Sequence, residues 1–399
     1  MKYHAAQSWN SARDDGTCTR EPGNHQAVLD SGATHRLDGD LGSEEAKVIA
    51  RRRLASQKLV GEPLAGPVDV VRWFCAVQSQ DYAGAKWALA QRTGGASSAD
   101  IDALFASGDL LRMHVMRPTW HFVLPEDIRW LLRLTAPRVH AFSAYYYRQQ
   151  ELDDALFARS NALIAGSLQG GSQLTRTELA QILQSGGIPA SGIRLSFLMM
   201  FAELEGIICS GGMRGKQFTY ALLDDRAPNA RTLDRDEALA ELTLRYFTSH
   251  GPASLLDFAW WSGLTTADAK SGIERVRDAL LKETIEGKTY WLAEPQTLSC
   301  PEPTLHLLPN FDEHLVAYKD HGPTFHPYAG NSLDPTSAAA LANSIVRNGQ
   351  IVGGWRRTIR KNDVLLTTNW SVPPDAASPA AAEVAATRFG AFVGLPVST

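Results

Sequence analysis

The chain has 399 residues, 44% of them apolar, enough for two to four domains with substantial cores. Its formal net charge of −4 gives no support for nucleic-acid binding from bulk charge alone. No run approaches the ~20 apolar residues of a membrane span, the N-terminus lacks the apolar stretch of a signal peptide, and four scattered cysteines argue against zinc or disulfides and favour a reducing cytoplasm.

The first predicted element is a polar tail at residues 1–43. Residues 1–46 carry four Lys and Arg against eight Asp and Glu, so the rest of the chain is neutral. The tail is rich in Gly and Asp and poor in apolar residues. We therefore expect it to be disordered, because it cannot bury enough apolar surface to fold.

Residues 44–124 are predicted to form a first unit of helices that ends in a hairpin. The predicted helices cover residues 45–59, 68–77, 82–92 and 99–107. Pro67 is placed at a helix start, where its missing N–H costs nothing, and Asp81 is placed as an N-cap. A strand pair is expected at residues 110–123, with Pro118 at the turn or at an edge position.

The same plan recurs twice after a helical connector at residues 125–171. In residues 172–225, Thr175 and Glu178 have the spacing of a capping box that opens a helix, and a hairpin with Gly211, Gly212 and Gly215 in its turn closes the unit. Residues 235–293 repeat the helices and end in a hairpin with Gly287 in its turn. Helices followed by a hairpin wing are the plan of the winged helix, a relative of the helix-turn-helix.

Residues 304–399 have a different sequence pattern, in which stretches of alternating apolar residues are separated by turns. An Asn348-Gly349 turn between two strands and a closing Ala-rich helix at 380–392, with Ser378 as its N-cap, predict a small β-rich domain. The expected fold class is α+β, with tandem winged-helix (helix-turn-helix) domains followed by a small β-rich C-terminal domain. Winged helices bind DNA or serve as protein-interaction modules, and the pattern leaves both open.

Several short motifs, in this order and spacing, carry a resemblance to a known family. They are residues 77–81 (VQSQD) and 85–89 (AKWAL), Arg112 with 117–121 (RPTWH), 251–264 (GPASLLDFAWWSGL), and 308–313 (LPNFDE) with 318–320 (YKD). Together they resemble the winged-helix DNA glycosylases of the AlkZ type, over about residues 47–395. Ser79 stands where the family favours an aliphatic residue, and Pro118 where a glycine is usual.

The resemblance implies tandem winged helices and a C-terminal β domain in a concave arrangement over duplex DNA. It also implies excision of alkylated bases, with unhooking of interstrand crosslinks by some members. The family's catalytic signature, two glutamines around one residue, falls on Gln78 and Gln80.

Gln78 and Gln80 are predicted at a helix-to-helix corner, where both can face one cleft. An amide is not a base at pH 7, but it can accept hydrogen bonds from a water molecule and fix its position. A purine alkylated at N7 or N3 is charged and already a good leaving group, so positioning supplies much of what the reaction needs. The alternative is that both glutamines only cap helix ends.

The remaining candidates are one carboxylate and a set of DNA contacts. Asp312 is the candidate catalytic carboxylate because it lies in a family motif, and its alternative is a turn cap. The candidate DNA contacts are Arg112, Arg117, Thr119 and His121 on the first hairpin and Arg214 and Lys216 on the second. Alternatively, His121 is a structural histidine and the second-hairpin pair is simply solvated.

We therefore predict a monofunctional DNA glycosylase that hydrolyses the N-glycosidic bond of alkylated or crosslinked purines with a glutamine-positioned water. It is expected to act on double-stranded DNA as a cytoplasmic monomer, without membrane contact. No cofactor or metal is expected, because the chain has no phosphate loop, dinucleotide motif or metal-ligand spacing. The alternatives are a non-catalytic DNA-binding or regulatory protein and a protein-interaction scaffold.

Overall fold

The computed structural model describes residues 43–294, 303–325 and 342–398, so the predicted tail lies outside the described residues except for Ser43. Ser43 caps the first helix by accepting a hydrogen bond from the Ala46 N–H. The described residues form a mixed α+β fold, and that part of the prediction is confirmed. None of the helices in these ranges is long and apolar enough to cross a membrane.

The first segment contains four helices and a three-stranded antiparallel sheet in the order β1-β3-β2. The elements are α1 (Glu44–Ser56), α2 (Pro67–Phe74), β1 (Ala76–Gln78), α3 (Tyr82–Ala90), α4 (Ser98–Ser107), β2 (Leu111–Val115) and β3 (Arg117–Val123). The helix predicted at 68–77 is wrong at its end. It stops at Phe74 because Cys75 adopts φ +71, and the chain continues as β1. Gln78 therefore lies on a strand rather than at a helix corner.

Pro118 lies within β3, and the turn between β2 and β3 is at Met116, which has φ +62. Only the last three residues of β3, from His121 to Val123, pair with β1. One side of the strand is therefore open at Pro118, and a residue without an N–H is tolerated there.

The predicted connector consists of two helices, α5 (Ile128–Gln149) and α6 (Asp154–Ser167). The second segment follows with β4 (Leu174–Thr175), α7 (Arg176–Ser185), α8 (Gly192–Leu204), β5 (Ile208–Arg214), β6 (Gln217–Leu222) and α9 (Leu223–Arg226). Its sheet order is β4-β6-β5. The capping box of Thr175 and Glu178 is confirmed. Gly211 and Gly212 lie on β5 rather than in the hairpin turn, which Gly215 makes at φ +63.

The third segment contains α10 (Arg235–His250), α11 (Leu255–Ser262), α12 (Thr266–Arg275), β7 (Leu281–Ile285) and β8 (Lys288–Leu292). Capping boxes at Asp234, Ser254 and Thr265 start the three helices. The turn at Gly287 is confirmed, with φ +74. Helix α10 packs against α2 and α5, which connects this segment to the first.

The C-terminal segment is built on a five-stranded sheet in the order β13-β12-β11-β10-β9. Its elements are β9 (Leu305–Leu308), α13 (Glu313–Val316), β10 (Ser344–Arg347), β11 (Gln350–Ile359), β12 (Val364–Trp370), α14 (Ser378–Val393) and β13 (Val397–Ser398). The Asn348-Gly349 turn is confirmed. Ser378 is the first helical residue rather than the N-cap, and Asp375 accepts the hydrogen bond from its N–H.

The C-terminal sheet shares one hydrophobic core with the first segment. Trp87 of α3 packs edge-on against Phe389 of α14, with ring centroids 5.2 Å apart. The indole N–H of Trp87 also donates to the Leu307 carbonyl of β9 at 2.7 Å. This packing brings the chain that follows β9, including residues 309–313, against β1 and the glutamines.

Gly263 is a glycine that the packing of the third segment on the first hairpin requires. It ends α11 with φ +71, and a Cβ there would lie 2.3 Å from the Met116 carbonyl oxygen in the β2–β3 turn. Gly394 ends α14 in a similar conformation, at φ +70, but a Cβ there would meet nothing within 4 Å.

We expect Gly394→Ala to lower the free energy of unfolding by about 1 kcal/mol, through backbone strain alone. Gly263→Ala should cost a further ~1–3 kcal/mol, because the added methyl group must displace backbone. Denaturant unfolding of both variants measures the difference. Equal losses would show that α11 does not pack tightly on the first hairpin.

Candidate active site

The segment 78–80, here called the glutamine segment, lies along the edge of the first sheet, beside Trp120. Gln78 is the Cα partner of His121 on β3. The Ser79 N–H donates to the Trp120 carbonyl at 2.7 Å, and Gln80 Oε1 accepts a longer hydrogen bond from the Trp120 N–H at 3.5 Å. Both glutamines are thus placed by the hairpin that carries the predicted DNA contacts.

Arg112 supports the same segment from β2. Its Nε donates to the Ser79 carbonyl at 3.0 Å, and its guanidinium lies 4.6 Å from the centroid of the Trp120 ring and 4.7 Å from that of Phe218. Burial lowers the pKa of Arg112 to about 10, which leaves it cationic at neutral pH. Arg112 is therefore in direct contact with the glutamine segment.

Glu313, at the start of α13, contacts the segment from the C-terminal side. Its Oε1 accepts the Gln78 N–H at 2.7 Å, and its Oε2 accepts the Trp261 indole N–H at 2.9 Å. The side chain is 1% exposed. Sequence reasoning missed this residue. The available signal was its place beside Asp312 in the LPNFDE motif, which gave no indication of which carboxylate faces the glutamines.

Asp312 faces away from solvent and is already paired. Its two oxygens accept hydrogen bonds from the guanidinium of Arg92 at 2.8 and 2.9 Å. It also caps α13 by accepting from the His314 N–H at 2.9 Å. These contacts fit the turn-cap alternative and leave little capacity for catalysis. Asp81 is likewise confirmed as a helix N-cap, since it accepts the Gly84 N–H at 3.0 Å.

His121 is fully buried, whereas Arg117 and Thr119 on the same strand are partly exposed. Its Nδ1 lies 2.9 Å from the Thr119 carbonyl oxygen. Burial, reinforced by the charge of Arg117, lowers the pKa of His121 to about 3, so the ring is neutral at pH 7. Because its side chain has no exposed surface, the structure favours the structural alternative for His121 over the predicted DNA contact.

Arg214 and Lys216 lie on the β5–β6 hairpin, apart in sequence from the glutamine segment. Arg214 pairs with Glu178 at 2.7 Å and donates to the Gln173 carbonyl. Lys216 is exposed in the turn, and its ammonium has no ion-pair partner within residues 43–294, 303–325 and 342–398. Lys216 is thus the freer of the two cations.

The side chain of Gln78 is buried at the edge of the first sheet. It is 8% exposed, and its amide makes no hydrogen bond to any residue that the structure describes. Gln80 is half-buried. The described residues contain no group of three His, Cys, Asp or Glu that could hold a metal ion.

A family model described as "DNA glycosylase AlkZ-like" matches residues 71–392. The chain belongs to the AlkZ-like DNA glycosylase family. The resemblance drawn from the motifs is thereby confirmed, and this AlkZ-like chain is a DNA glycosylase, a hydrolase of N-glycosyl bonds.

The fold of this AlkZ-like glycosylase is similar to that of a solved structure, the Streptomyces sahachiroi DNA glycosylase AlkZ. The TM-score is 0.69 at 22% sequence identity, over 90% of this chain and 100% of that chain. None of the curated proteins that were compared matches the sequence.

The buried His121 of this AlkZ-like glycosylase has a consequence for stability at acid pH. Its folded pKa is about 3, whereas an unfolded histidine titrates near ~6.5. Between these values the unfolded chain binds a proton that the folded chain does not. The contribution of His121 to the free energy of unfolding therefore falls as pH decreases, by up to ~1.4 kcal/mol per pH unit.

We expect His121→Gln to reduce this slope by about 1 kcal/mol per pH unit between about pH 6 and pH 4, as measured by urea unfolding at each pH. His306 on β9 is a matched comparison, since its pKa is also about 3 through burial, and His306→Gln should reduce the slope equally. A slope that His121→Gln leaves unchanged would contradict the neutral, buried state of this ring.

Proposed function

We propose that this glycosylase releases alkylated purines from double-stranded DNA, including crosslinked ones, and that Gln78 and Gln80 position the attacking water. The observation that carries the proposal is the state of Gln78. Its backbone N–H is fixed by Glu313, while its amide has no hydrogen-bond partner among the residues described. A buried amide on a fixed backbone, with free hydrogen-bonding capacity, is suited to hold one water molecule.

The carboxylates around the glutamines limit the substrate. Asp312 and Glu313 are each 1% exposed and hydrogen-bonded, and Asp81 caps a helix. None of the three is placed to protonate an undamaged base, which is a poor leaving group. A purine alkylated at N7 or N3 carries its own positive charge and needs no such acid.

The reaction then requires only an oriented water. The electron pair of the C1′–N bond leaves with the cationic base, which departs neutral. The water oxygen bonds to C1′ of the oxocarbenium-like sugar, and its proton passes to solvent. Orientation of the water by two amide oxygens is a positioning contribution, for which several kcal/mol are available.

We further propose that the three segments of helices and hairpin are winged helices that contact the duplex, and that the protein acts as a monomer. In support of this, each of the three segments contains helices followed by an antiparallel hairpin, which is β2–β3, β5–β6 or β7–β8. A bulky or crosslinked adduct cannot enter a snug pocket, so the target base need not be fully flipped out.

The glutamine roles are tested by release of N7-methylguanine from a duplex oligonucleotide under single-turnover conditions. We expect Gln78→Ala and Gln80→Ala each to lower the rate constant by about 100-fold, because the water loses its orientation. Gln149→Ala, at an exposed position on α5, is the matched control and should match the wild type.

If the wild type releases no base, the proposed substrate is wrong. If it releases base and both glutamine variants match it, the water-positioning role is wrong. Tight duplex binding without release would instead support a non-catalytic DNA-binding protein.

DNA contact by the second hairpin is tested through the salt dependence of duplex binding. Each phosphate contact contributes about 0.9 to the slope of log K against log salt. We expect Lys216→Gln to reduce the slope by about this amount. Arg148→Gln is the control, because Arg148 is exposed on α5 of the connector, outside the three segments proposed to contact the duplex. Unchanged slopes in both variants would remove Lys216 from the interface.

A further inference from the structure

We propose that Glu313 is the positioning residue of the active site, which fixes the backbone of Gln78 against α11 and so sets the direction of its amide. The inference rests on the proposed role of Gln78. Glu313 does not touch the substrate in this proposal, and it acts only through Gln78.

The position of Gln78 on the sheet makes this contact necessary. Strand β1 is the edge strand of the order β1-β3-β2. The next N–H along the chain, that of Ser79, points to β3, where it donates to Trp120. Because successive N–H groups of a strand point to opposite sides, the Gln78 N–H points to the open edge. Glu313 fills this edge with an acceptor at 2.7 Å.

The segment has few other restraints. Strand β1 has only three residues, and Cys75 just before it has φ +71. The ladder with β3 covers Ala76, Val77 and Gln78. Without Glu313, the last residue of a three-residue edge strand would carry a buried, unpaired N–H.

Only a carboxylate of this length makes all of the contacts. Oε1 accepts from Gln78 and Oε2 from Trp261, and His250 Nε2 lies 3.5 Å from Oε2. A glutamine at this position has one acceptor oxygen and one NH2 group, so its NH2 must face either Gln78 or Trp261. An aspartate is one methylene shorter and would not reach both donors.

Glu313 is ionised at neutral pH, which strengthens these bonds. Burial acts to raise its pKa, but the interaction with His250 at 3.5 Å and the hydrogen bond from the Gln78 backbone more than offset this, and the pKa lies below its usual value. A hydrogen bond to a charged acceptor is about twice as strong as one between neutral groups.

The test uses Glu313→Gln in the full-length protein with a duplex that contains one N7-methylguanine. We expect the single-turnover rate constant to fall by about 10- to 100-fold. The affinity for the duplex should stay within about 2-fold, since Glu313 is buried and binds no DNA. A loss confined to the rate constant is not what a general loss of folding would produce.

Glu203→Gln is the matched control. Glu203 is also 1% exposed, and it accepts a backbone N–H, that of His114, at 3.0 Å. It measures the effect of neutralising a buried carboxylate that does not contact Gln78. The proposal requires the rate constant to fall far more in Glu313→Gln than in Glu203→Gln.

A double variant tests the contact itself. Trp261→Phe removes the indole donor, so the amide of Glu313→Gln can turn its carbonyl oxygen to Gln78. We therefore expect Glu313→Gln with Trp261→Phe to release base faster than Glu313→Gln alone. A double variant slower than either single variant would overturn the proposal.

Amide hydrogen exchange, resolved for Gln78 by NMR, tests the proposal independently of activity. We expect the Gln78 N–H to exchange about 10-fold faster in Glu313→Gln, with Ser79 little changed. If the wild type releases no base, the proposed function fails, and exchange still decides whether Glu313 holds Gln78. If the variant matches an active wild type in both rate and exchange, the role of Glu313 is overturned while the glutamine chemistry stands.

Discussion

The site depends on one hydrogen bond, from the backbone of Gln78 to the carboxylate of Glu313, between residues 235 positions apart. The bond is buried, so it forms only when the C-terminal segment is docked on the first segment. Two further contacts, each between residues 220 positions apart in sequence, hold the C-terminal segment on the first segment. They are the Arg92–Asp312 ion pair and the hydrogen bond from Trp87 to the Leu307 carbonyl. The candidate site is therefore a product of tertiary packing, and the glutamine motif alone does not form it.

Asp312 and Glu313 are neighbours in sequence, but one holds the helix in place and the other contacts Gln78. Asp312 pairs with a guanidinium and caps α13, and so fixes the helix. Glu313 then projects from the first turn of that helix toward Gln78. A buried ion pair such as Arg92–Asp312 is weak evidence for stability, because desolvation offsets much of its attraction. Its clearer consequence is register, since it fixes which residue of the LPNFDE motif reaches the glutamines.

Local signals in the sequence predicted much of the fold. The capping box at Thr175, the Gly287 turn and the Asn348-Gly349 turn depend on residues close in sequence, and all three are confirmed. The end of α2 could not be predicted in the same way, because Cys75 carries no helix-breaking signal. Its positive φ is imposed by the chain's entry into the first sheet.

The site was predictable in part for the same reason. The motif selects Gln78 and Gln80 as candidates, because a family signature is a property of sequence, and their catalytic roles belong to the proposal. The partners of Gln78 could not be read from it, since Glu313 and Trp261 reach the site through folding. The burial of His121 could not be predicted from the sequence either, because a titratable residue on a hairpin strand is as typical of a DNA contact as of a core histidine.

Ser79, between the two glutamines, lies in surroundings that, within the described ranges, offer its side chain no polar partner. It is fully buried, and its hydroxyl finds no hydrogen-bond partner among the described residues. A buried unpaired hydroxyl costs about 1–3 kcal/mol, and an aliphatic side chain, which the family favours here, would avoid that cost. The surroundings of Ser79 thus offer it no polar partner, whereas the amide of Gln78 beside it has only water or substrate to bind. Under the proposed function, two neutral amides with only Ser79 between them favour a reaction whose leaving group brings its own charge. Under the same proposed function, the carboxylate nearest Gln78, that of Glu313, is occupied by hydrogen bonds from Gln78 and Trp261, which favours alkylated bases over normal ones without any contact to the alkyl group.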